Sequence, residues 1–333
     1  MPLPEKLASR LRLPLIVAPM LRVSGPEIVA AACRAGVIGS FPTVNARTAD
    51  QLDAWLSRIE DDCARSATPA APVCPNIILR SRPDLLAADL DVLVRHRVEM
   101  VLASVGSPAA VIGPLHDVGC FVLADVGSVR HAKKAIDAGA DGLVLLSAGA
   151  GGQTGWANGL SFVREVRAFY GGPLVLAGGI SDGAALLAAR ALGCDLGLAG
   201  TRFIATAESL AVDGYKAMLV DSGLDDVLLT RGISGIDANF LRPSIVACGL
   251  DPEEVTRPLS PEDSRERFSA YADEMRGPKR WVDLWSAGHT VGAVDGVPTV
   301  AELVDAYARE YALAWSALQG AAPPRAAGAR PAP

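Results

Sequence analysis

The sequence, 333 residues long, predicts an α/β chain folded as a (βα)8 TIM barrel with a C-terminal helical lid extension, and three observations carry that prediction. Eight short apolar runs recur along the chain, each followed by an amphipathic stretch. The runs show no polar alternation, as parallel strands buried on both faces require. Two of the last runs end in small-residue turns before a helix, Ala177-Gly178-Gly179-Ile180-Ser181-Asp182-Gly183 and Ala199-Gly200-Thr201-Arg202-Phe203. Such turns let backbone N–H groups approach a phosphate with no side chain between, and the loops after strands seven and eight are where a barrel of this class holds one. The doubly wound alternative needs a Gly-x-Gly-x-x-Gly turn after the first strand, whereas this chain has Ala18-Pro19-Met20 there.

The runs are Leu15-Ala18, Val37-Ser40, Val73-Leu79, Met100-Ala103, Cys120-Ala124, Leu143-Leu146, Leu174-Ala177 and Leu196-Ala199. Helices are expected between them. Glu27 to Ala35 closes at Gly36, and Arg130 to Ala138, with Ala132, Ala135 and Ile136 on one face, closes at Gly139; both glycines suit a left-handed C-terminal cap. Gly183 to Leu192 and Phe203 to Ala211 are expected to turn their positive N-terminal ends toward the phosphate turns. Beyond the eighth strand, Ala211 to Gly223 reads as a helix, Asp251 to Arg280 as a charged, proline-containing surface excursion, and Val300 to Leu318 as a final amphipathic helix. We therefore expect one domain over 1–318, a lid over about 211–318, and a disordered tail over 320–333, where only Gly, Ala, Pro and Arg occur.

Composition narrows the function. Half the residues are hydrophobic and a fifth are charged, and no run approaches the length of a membrane span. The start of the chain lacks the apolar core of a signal peptide, so a cytoplasmic location is expected. A net charge of -6 without a basic stripe argues against nucleic acid and for a small-molecule substrate; a homodimer is admitted. The six cysteines form no Cys-x-x-Cys pair and no metal-ligand spacing, and read as reduced core residues.

Chemistry in such a barrel sits at the C-terminal ends of the strands. Those ends carry Ala18-Pro19-Met20, Asn76, Asp125 and the loop Ser147-Ala148-Gly149-Ala150-Gly151-Gly152-Gln153-Thr154-Gly155. The glycines of that loop allow the backbone to lie against a flat or anionic ligand.

In this order and spacing, Ala18-Pro19-Met20, Asn76, Ser128-Val129, Ala150-Gly151-Gly152, Ala177-Gly178-Gly179-Ile180 and Gly200-Thr201-Arg202-Phe203 resemble the nitronate monooxygenase (2-nitropropane dioxygenase) family. Its members are FMN-dependent barrels related to enoyl and quinone reductases. The resemblance implies that Ala177, Gly178, Gly179, Gly200 and Thr201 hold the FMN phosphate region. It also implies that Ala18, Pro19 and Met20 line the isoalloxazine through their backbone, that Asn76 reaches the polar edge of the ring, and that Gly151 and Gly152 pass beside the cofactor. Two departures stand out. Members that oxidise neutral nitroalkanes have a histidine base where this chain has Gln153, and a carboxamide takes up no proton near neutral pH. Some relatives carry lysine where Asp125 stands here, and an anion beside the flavin disfavours its reduced form.

Of the histidines, His96, His116 and His131 read as solvated surface residues. His289, in Trp285-Ser286-Ala287-Gly288-His289-Thr290 of the covering segment, is either a substitute base or a lid residue that hydrogen-bonds. Gln153 and His289 are thus the candidate catalytic residues. Arg202 and Arg231 either hold an anionic substrate or pair with carboxylates, and Trp281 and Trp285 either cap the pocket or anchor the lid. The expected activity is oxidation of alkyl nitronates with O2, which needs no base. The alternative is an NAD(P)H-dependent reduction of a quinone or an enoyl thioester. An inosine-monophosphate-dehydrogenase type of barrel shares the Gly-Gly-Ile turn, but its chemistry needs a cysteine that residues 147–155 lack; a barrel that only binds phosphate stays open.

Overall fold

The structure, a computed structural model, describes residues 3–80, 82–257, 259–260, 262–263, 278–279 and 281–320. Apart from Gly320, the expected tail lies outside the described residues, as does most of the stretch expected as a surface excursion.

Seven parallel strands form one curled sheet: β1 (Leu15–Val17), β2 (Asn76–Ile78), β3 (Met100–Ser104), β4 (Phe121–Val126), β5 (Gly142–Leu146), β7 (Leu174–Ala177) and β8 (Leu196–Ala199), in the order β1-β8-β7-β5-β4-β3-β2. The run over 37–42 closes the ring, with parallel bridges Ile16 to Ile38, Gly39 to Val73 and Pro42 to Asn76 joining the two edge strands. That is the second predicted strand, present as single bridges. The short strand β6 (Gly152–Gln153) leaves the barrel after β5.

Alternate residues of each strand divide between two cores. Ile16, Met100, Leu102, Leu123, Val144, Val175 and Leu196 point inward and pack with Leu3 and Leu7 of the N-terminal segment. Leu15, Val101, Val122, Leu143, Leu145 and Leu174 point outward against the helices. Both sets are buried, so the strands read as unbroken apolar runs. Helices α2 (Pro26–Arg34) and α6 (Val129–Asp137) end in glycines with positive φ, Gly36 at 84° and Gly139 at 94°, as their sequences predict.

Two expectations fail. The helix expected over Phe203 to Ala211 is only Thr201–Ile204. Past it, the Thr206 and Ser209 hydroxyls donate to Phe203 O and Ile204 O, while Ala207 N and Leu210 N donate to Pro298 O and Val23 O, so side chains and distant carbonyls take the bonds that would extend it. Nor is the lid purely helical. After helix Asp213–Asp221 come β9 (Val227–Thr230) and β10 (Ala238–Leu241), which form an antiparallel sheet in the order β6-β10-β9. The last helix, Val300–Gly320, lies on α8 (Gly183–Leu192) so closely that a Cβ on Gly183 would sit 2.1 Å from Tyr311 N. No helix among the described residues is long and apolar enough to cross a membrane.

Candidate active site

A cavity of about 280 Å³ opens at the C-terminal ends of the barrel strands, under the lid. Ala18, Pro19, Met20, Asn76 and Asp125 line it, as do Gly151, Gly152, Gln153, Ala177, Gly178, Gly179, Gly200 and Thr201, so every residue expected to hold the cofactor faces one space. His289 does not line it. Its ring lies exposed against Gly149, where an added Cβ would come within 2.8 Å of Nδ1, and its N–H donates to Gly149 O at 2.9 Å. In the structure the His289 ring stands outside the cavity wall, while its backbone ties the lid to the loop after β5.

The turn after β1 is held rigidly by its own neighbours. Met20 N donates to Ser24 Oγ at 3.0 Å, Asn45 Nδ2 to Met20 O at 3.0 Å, and Ala18 N to Ala199 O at 2.8 Å. Pro19 has no N–H. The N–H groups of Ala18 and Met20 are therefore spent inside the protein, which leaves the turn to line a flat ligand through backbone contact.

Asn76 is buried, and its Nδ2 donates to Leu102 O at 2.9 Å and to Ser104 Oγ at 2.8 Å. Both amide hydrogens being used, Oδ1 remains as an acceptor, which suits an imide N–H at the polar edge of a flavin. Asp125, at the end of β4, accepts from Val105 N at 3.4 Å, and Val105 holds a left-handed φ of 57° that is rare for a β-branched residue. Burial pushes the Asp125 carboxyl up to about 7, with the Val105 N–H pulling the other way. Burial thus favours the uncharged acid, which weakens the objection that it sets an anion beside the flavin.

The glycines at this end have two different reasons. Gly178 (φ 102°) presses on the loop after β5, since a Cβ there would lie 2.6 Å from Ser147 Oγ and 2.9 Å from Ala150 N. Gly151 presses on the returning lid, 2.8 Å from Gly288 N. At Gly179 (φ 83°), by contrast, a Cβ would meet nothing within 4 Å, so here the glycine leaves open space along the cavity wall.

Two N–H groups at the N-terminus of α8 are taken by the chain's own carboxylates. Asp182 accepts from Ala185 N at 2.7 Å, and Glu310, from the last helix, accepts from Gly183 N at 2.9 Å. Two carboxylates already occupy the positive end that was expected to face a phosphate, and Glu310 arrives from 127 residues away. What remains is the Gly179 turn and the start of the Thr201–Ile204 helix, whose N–H groups at Thr201 and Arg202 have no partner within the helix. Thr201 Oγ1 accepts from Gly288 N at 2.9 Å and keeps its own proton to donate. Beside this segment, Ser286 Oγ is buried with no partner among the described residues and lines the cavity. An orphaned hydroxyl, a free Thr hydrogen and an open glycine turn make a donor set that fits a phosphate; with the Asn76 acceptor across the cavity, the residues fit a flavin mononucleotide.

The lid supplies what sequence reasoning missed. Tyr215 lines the cavity with its hydroxyl bonded to Ser286 O, and Trp285 stacks on it at 5.1 Å. Trp281 stacks on Phe240 at 4.8 Å, and both tryptophans reach the cavity, so they anchor the lid and cap the pocket together. Ser286 lies in the Trp-Ser-Ala-Gly-His segment that the sequence singles out, three residues before His289. Neither arginine faces the cavity: Arg202 donates to Ser181 O at 3.0 Å and lies 5.2 Å from the Tyr307 ring, while Arg231 forks onto Asp237 at 2.6 and 2.7 Å. His96 is not simply solvated, since its ring bridges Glu60 and Asp53 at 3.0 and 3.1 Å.

The family described as nitronate monooxygenase matches residues 77–310. A nitronate monooxygenase of Paraburkholderia phytofirmans is 30% identical, over 89% of this chain and 92% of its own length. A (3aS,4S,5R,7aS)-5-hydroxy-7a-methyl-1-oxo-octahydro-1H-indene-4-carboxyl-CoA dehydrogenase of Mycobacterium tuberculosis is 28% identical over 70% of this chain, and the match spans 64% of that protein, just under two thirds. Among solved structures, the nitroalkane oxidase of Streptomyces ansochromogenes superposes with a TM-score of 0.77 at 25% identity, covering 94% of this chain and 99% of the other.

Proposed function

The chain belongs to the nitronate monooxygenase family, an oxidoreductase family, and from that premise we propose that it binds FMN and oxidises alkyl nitronates, the anions of nitroalkanes, with O2. The observation that carries this reading is the absence of a histidine, lysine or arginine from the described cavity wall, whose titratable side chains are Asp125 and Tyr215. Burial pushes the Tyr215 hydroxyl well up, so it stays protonated. A neutral nitroalkane must first lose a proton from carbon; a nitronate has already lost it.

On this reading Gly179, Gly200, Thr201 and Ser286 hold the FMN phosphate, with Gly178 shaping the turn, and Asn76 Oδ1 accepts from the ring edge. Bound there, FMN supplies the transfer of electrons from substrate to oxygen. Gln153 donates its amide N–H to a nitronate oxygen, and pairing of β6 with β10, Gln153 opposite Ala238, holds the residue in place. The acid form of Asp125 adds a neutral donor to the anion, whereas its ionised form repels the anion and is the one carboxylate base on the described wall. Trp281 and Trp285 keep water from the far wall. Residues 1–318 serve as one domain, because Met20 and Val23 of the barrel share an apolar cluster with Tyr215, Leu241, Ala287 and Val291 of the lid.

A second reading, an NAD(P)H-dependent reductase of a quinone or an enoyl thioester, is favoured by the same lack of a cation together with the apolar wall of Leu21, Ile78, Val105 and Ile204, which suits an uncharged, electron-poor alkene. The absorption spectrum of the flavin-loaded protein under anaerobic conditions separates the two. Bleaching by propyl 1-nitronate, with 1-nitropropane at least tenfold slower at equal concentration, supports the first reading. Bleaching by NADH or NADPH alone overturns it in favour of the second, and no flavin band after FMN is added back overturns both.

A further inference from the structure

Asn239, on β10 of the lid sheet, is 1% exposed, and its carboxamide is used on one side only. Nδ2 donates to Ala150 O at 2.7 Å, whereas Oδ1 is buried with no partner among the described residues. A buried carbonyl oxygen without a donor costs stability, and its neighbours Ala238 and Phe240 belong to an apolar cluster, so packing does not account for an asparagine here. What the residue contributes is the bond to Ala150 O.

That bond fixes one peptide of the cavity wall. The backbone of Asn239 also faces Gly152 in the antiparallel pairing of β10 with β6, and Thr154 N donates to Asp237 O at 3.1 Å, so β10 grips the loop after β5 on both sides of Gly151. Gly149, Gly151 and Gly152 offer little resistance to rotation of their own, which is why the loop needs a tether from outside it. In a trans peptide the C=O and N–H groups point in opposite directions, and no described peptide bond is cis. With Ala150 O drawn toward Asn239, Gly151 N–H is turned away from the lid sheet. Gly151 lines the cavity, its N–H donates to nothing among the described residues, and a Cβ built on it would lie 3.4 Å from Thr201 Oγ1. An unpaired backbone donor thus stands beside the Thr201 hydroxyl.

From this arrangement we propose that Asn239 is a positioning residue which, by holding Ala150 O, aims Gly151 N–H at the cofactor phosphate as a further donor next to Thr201; the inference rests on the FMN reading given above. Asn239 itself does not line the cavity and acts only through the 150–151 peptide. The carboxamide is the right group because Ala150 O needs a donor: leucine offers none, and an aspartate would set oxygen against oxygen.

The test measures, by quenching of flavin fluorescence, the binding of FMN and of riboflavin, which lacks the phosphate, to the full-length protein freed of bound flavin. Asn239→Leu and Asn239→Asp should each raise the Kd for FMN about tenfold and that for riboflavin less than about twofold. An unchanged Kd for FMN would overturn the proposal, as would equal weakening of both ligands, since a residue that merely holds the loop together affects the two alike. A wild-type chain that binds neither flavin, or binds riboflavin as tightly as FMN, overturns the FMN reading and this inference with it, and that outcome is seen before any variant is made. Should both variants fail to fold, amide exchange in the wild type decides: FMN should slow exchange at Gly151 well beyond what riboflavin does, and equal rates with the two ligands would refute the aim of this N–H at the phosphate.

Discussion

Asp125→Asn isolates one carboxyl whose burial sets both the stability and the charge of the cavity. Raising that carboxyl from 3.8 to about 7 makes the ionised form cost about 4 kcal/mol more in the folded chain than in the unfolded one. The sign is fixed by linkage: a folded state that holds its proton to higher pH has this stabilisation whole below 3.8 and loses it as pH rises through about 7. About 1.5 kcal/mol of it is gone by pH 5, and a further loss of about 2.5 kcal/mol follows between pH 5 and pH 8.5. Asparagine keeps an acceptor for Val105 N and has no charge to lose. In urea unfolding of protein freed of bound cofactor, the variant should therefore gain on the wild type by about 2.5 kcal/mol between those two pH values. Other carboxylates titrate in both proteins and cancel in the difference. An unchanged gap between the two proteins at pH 5 and pH 8.5 would mean that Asp125 is solvated and ionised throughout, and the account of a neutral cavity would fall with it.

Two other substitutions probe the substrate side and the lid. Gln153→His puts a base where neutral-nitroalkane oxidation requires one, so kcat/KM for 1-nitropropane should rise by roughly 10²-fold while that for the nitronate changes little; an unchanged 1-nitropropane rate would show that proton removal is not what limits this enzyme. Gly151→Ala drives a Cβ to 2.8 Å from Gly288 N and 3.1 Å from Ala287 C. Both neighbours are backbone, so the lid must shift, and a loss of about 1–3 kcal/mol in thermal or urea unfolding is expected. A wild-type midpoint would contradict the seating of the lid on the loop after β5.

The barrel was legible because its physics is local. Strands buried on both faces leave unbroken apolar runs, and the run over Val37-Ser40 announced the eighth stave even though only single bridges hold it. The lid sheet was not legible, because β9 and β10 are runs of only four residues and β6 is a Gly-Gln pair whose pairing with β10 joins segments about 85 residues apart. The site was legible by membership more than by cause. Gly178 and Gly151 line the cavity as expected, but each is glycine because a neighbouring backbone or hydroxyl presses on it, and only Gly179 faces open space. His289 makes a related point: residue type marks what a side chain can do, while its place against Gly149 depends on packing.

Glu310 shows how such a misreading reaches into function. A helix N-terminus after strand seven is a sound place to expect an anion, and α8 does bind one, but the anion is a carboxylate of the chain's own last helix. The positive end of α8 is therefore spent on fastening Val300–Gly320 to the barrel, with the Tyr307 hydroxyl donating to Ile180 O just before it. On the proposed reading the cofactor phosphate is left to Gly179, Gly200, Thr201 and Ser286, and two of these depend on the lid: Thr201 Oγ1 receives Gly288 N, and Ser286 is itself a lid residue held by Tyr215. On that reading phosphate binding requires the lid to be seated on the barrel. Anything that lifts the 286–288 segment, Gly151→Ala included, weakens the hold on the cofactor before it touches the strands beneath.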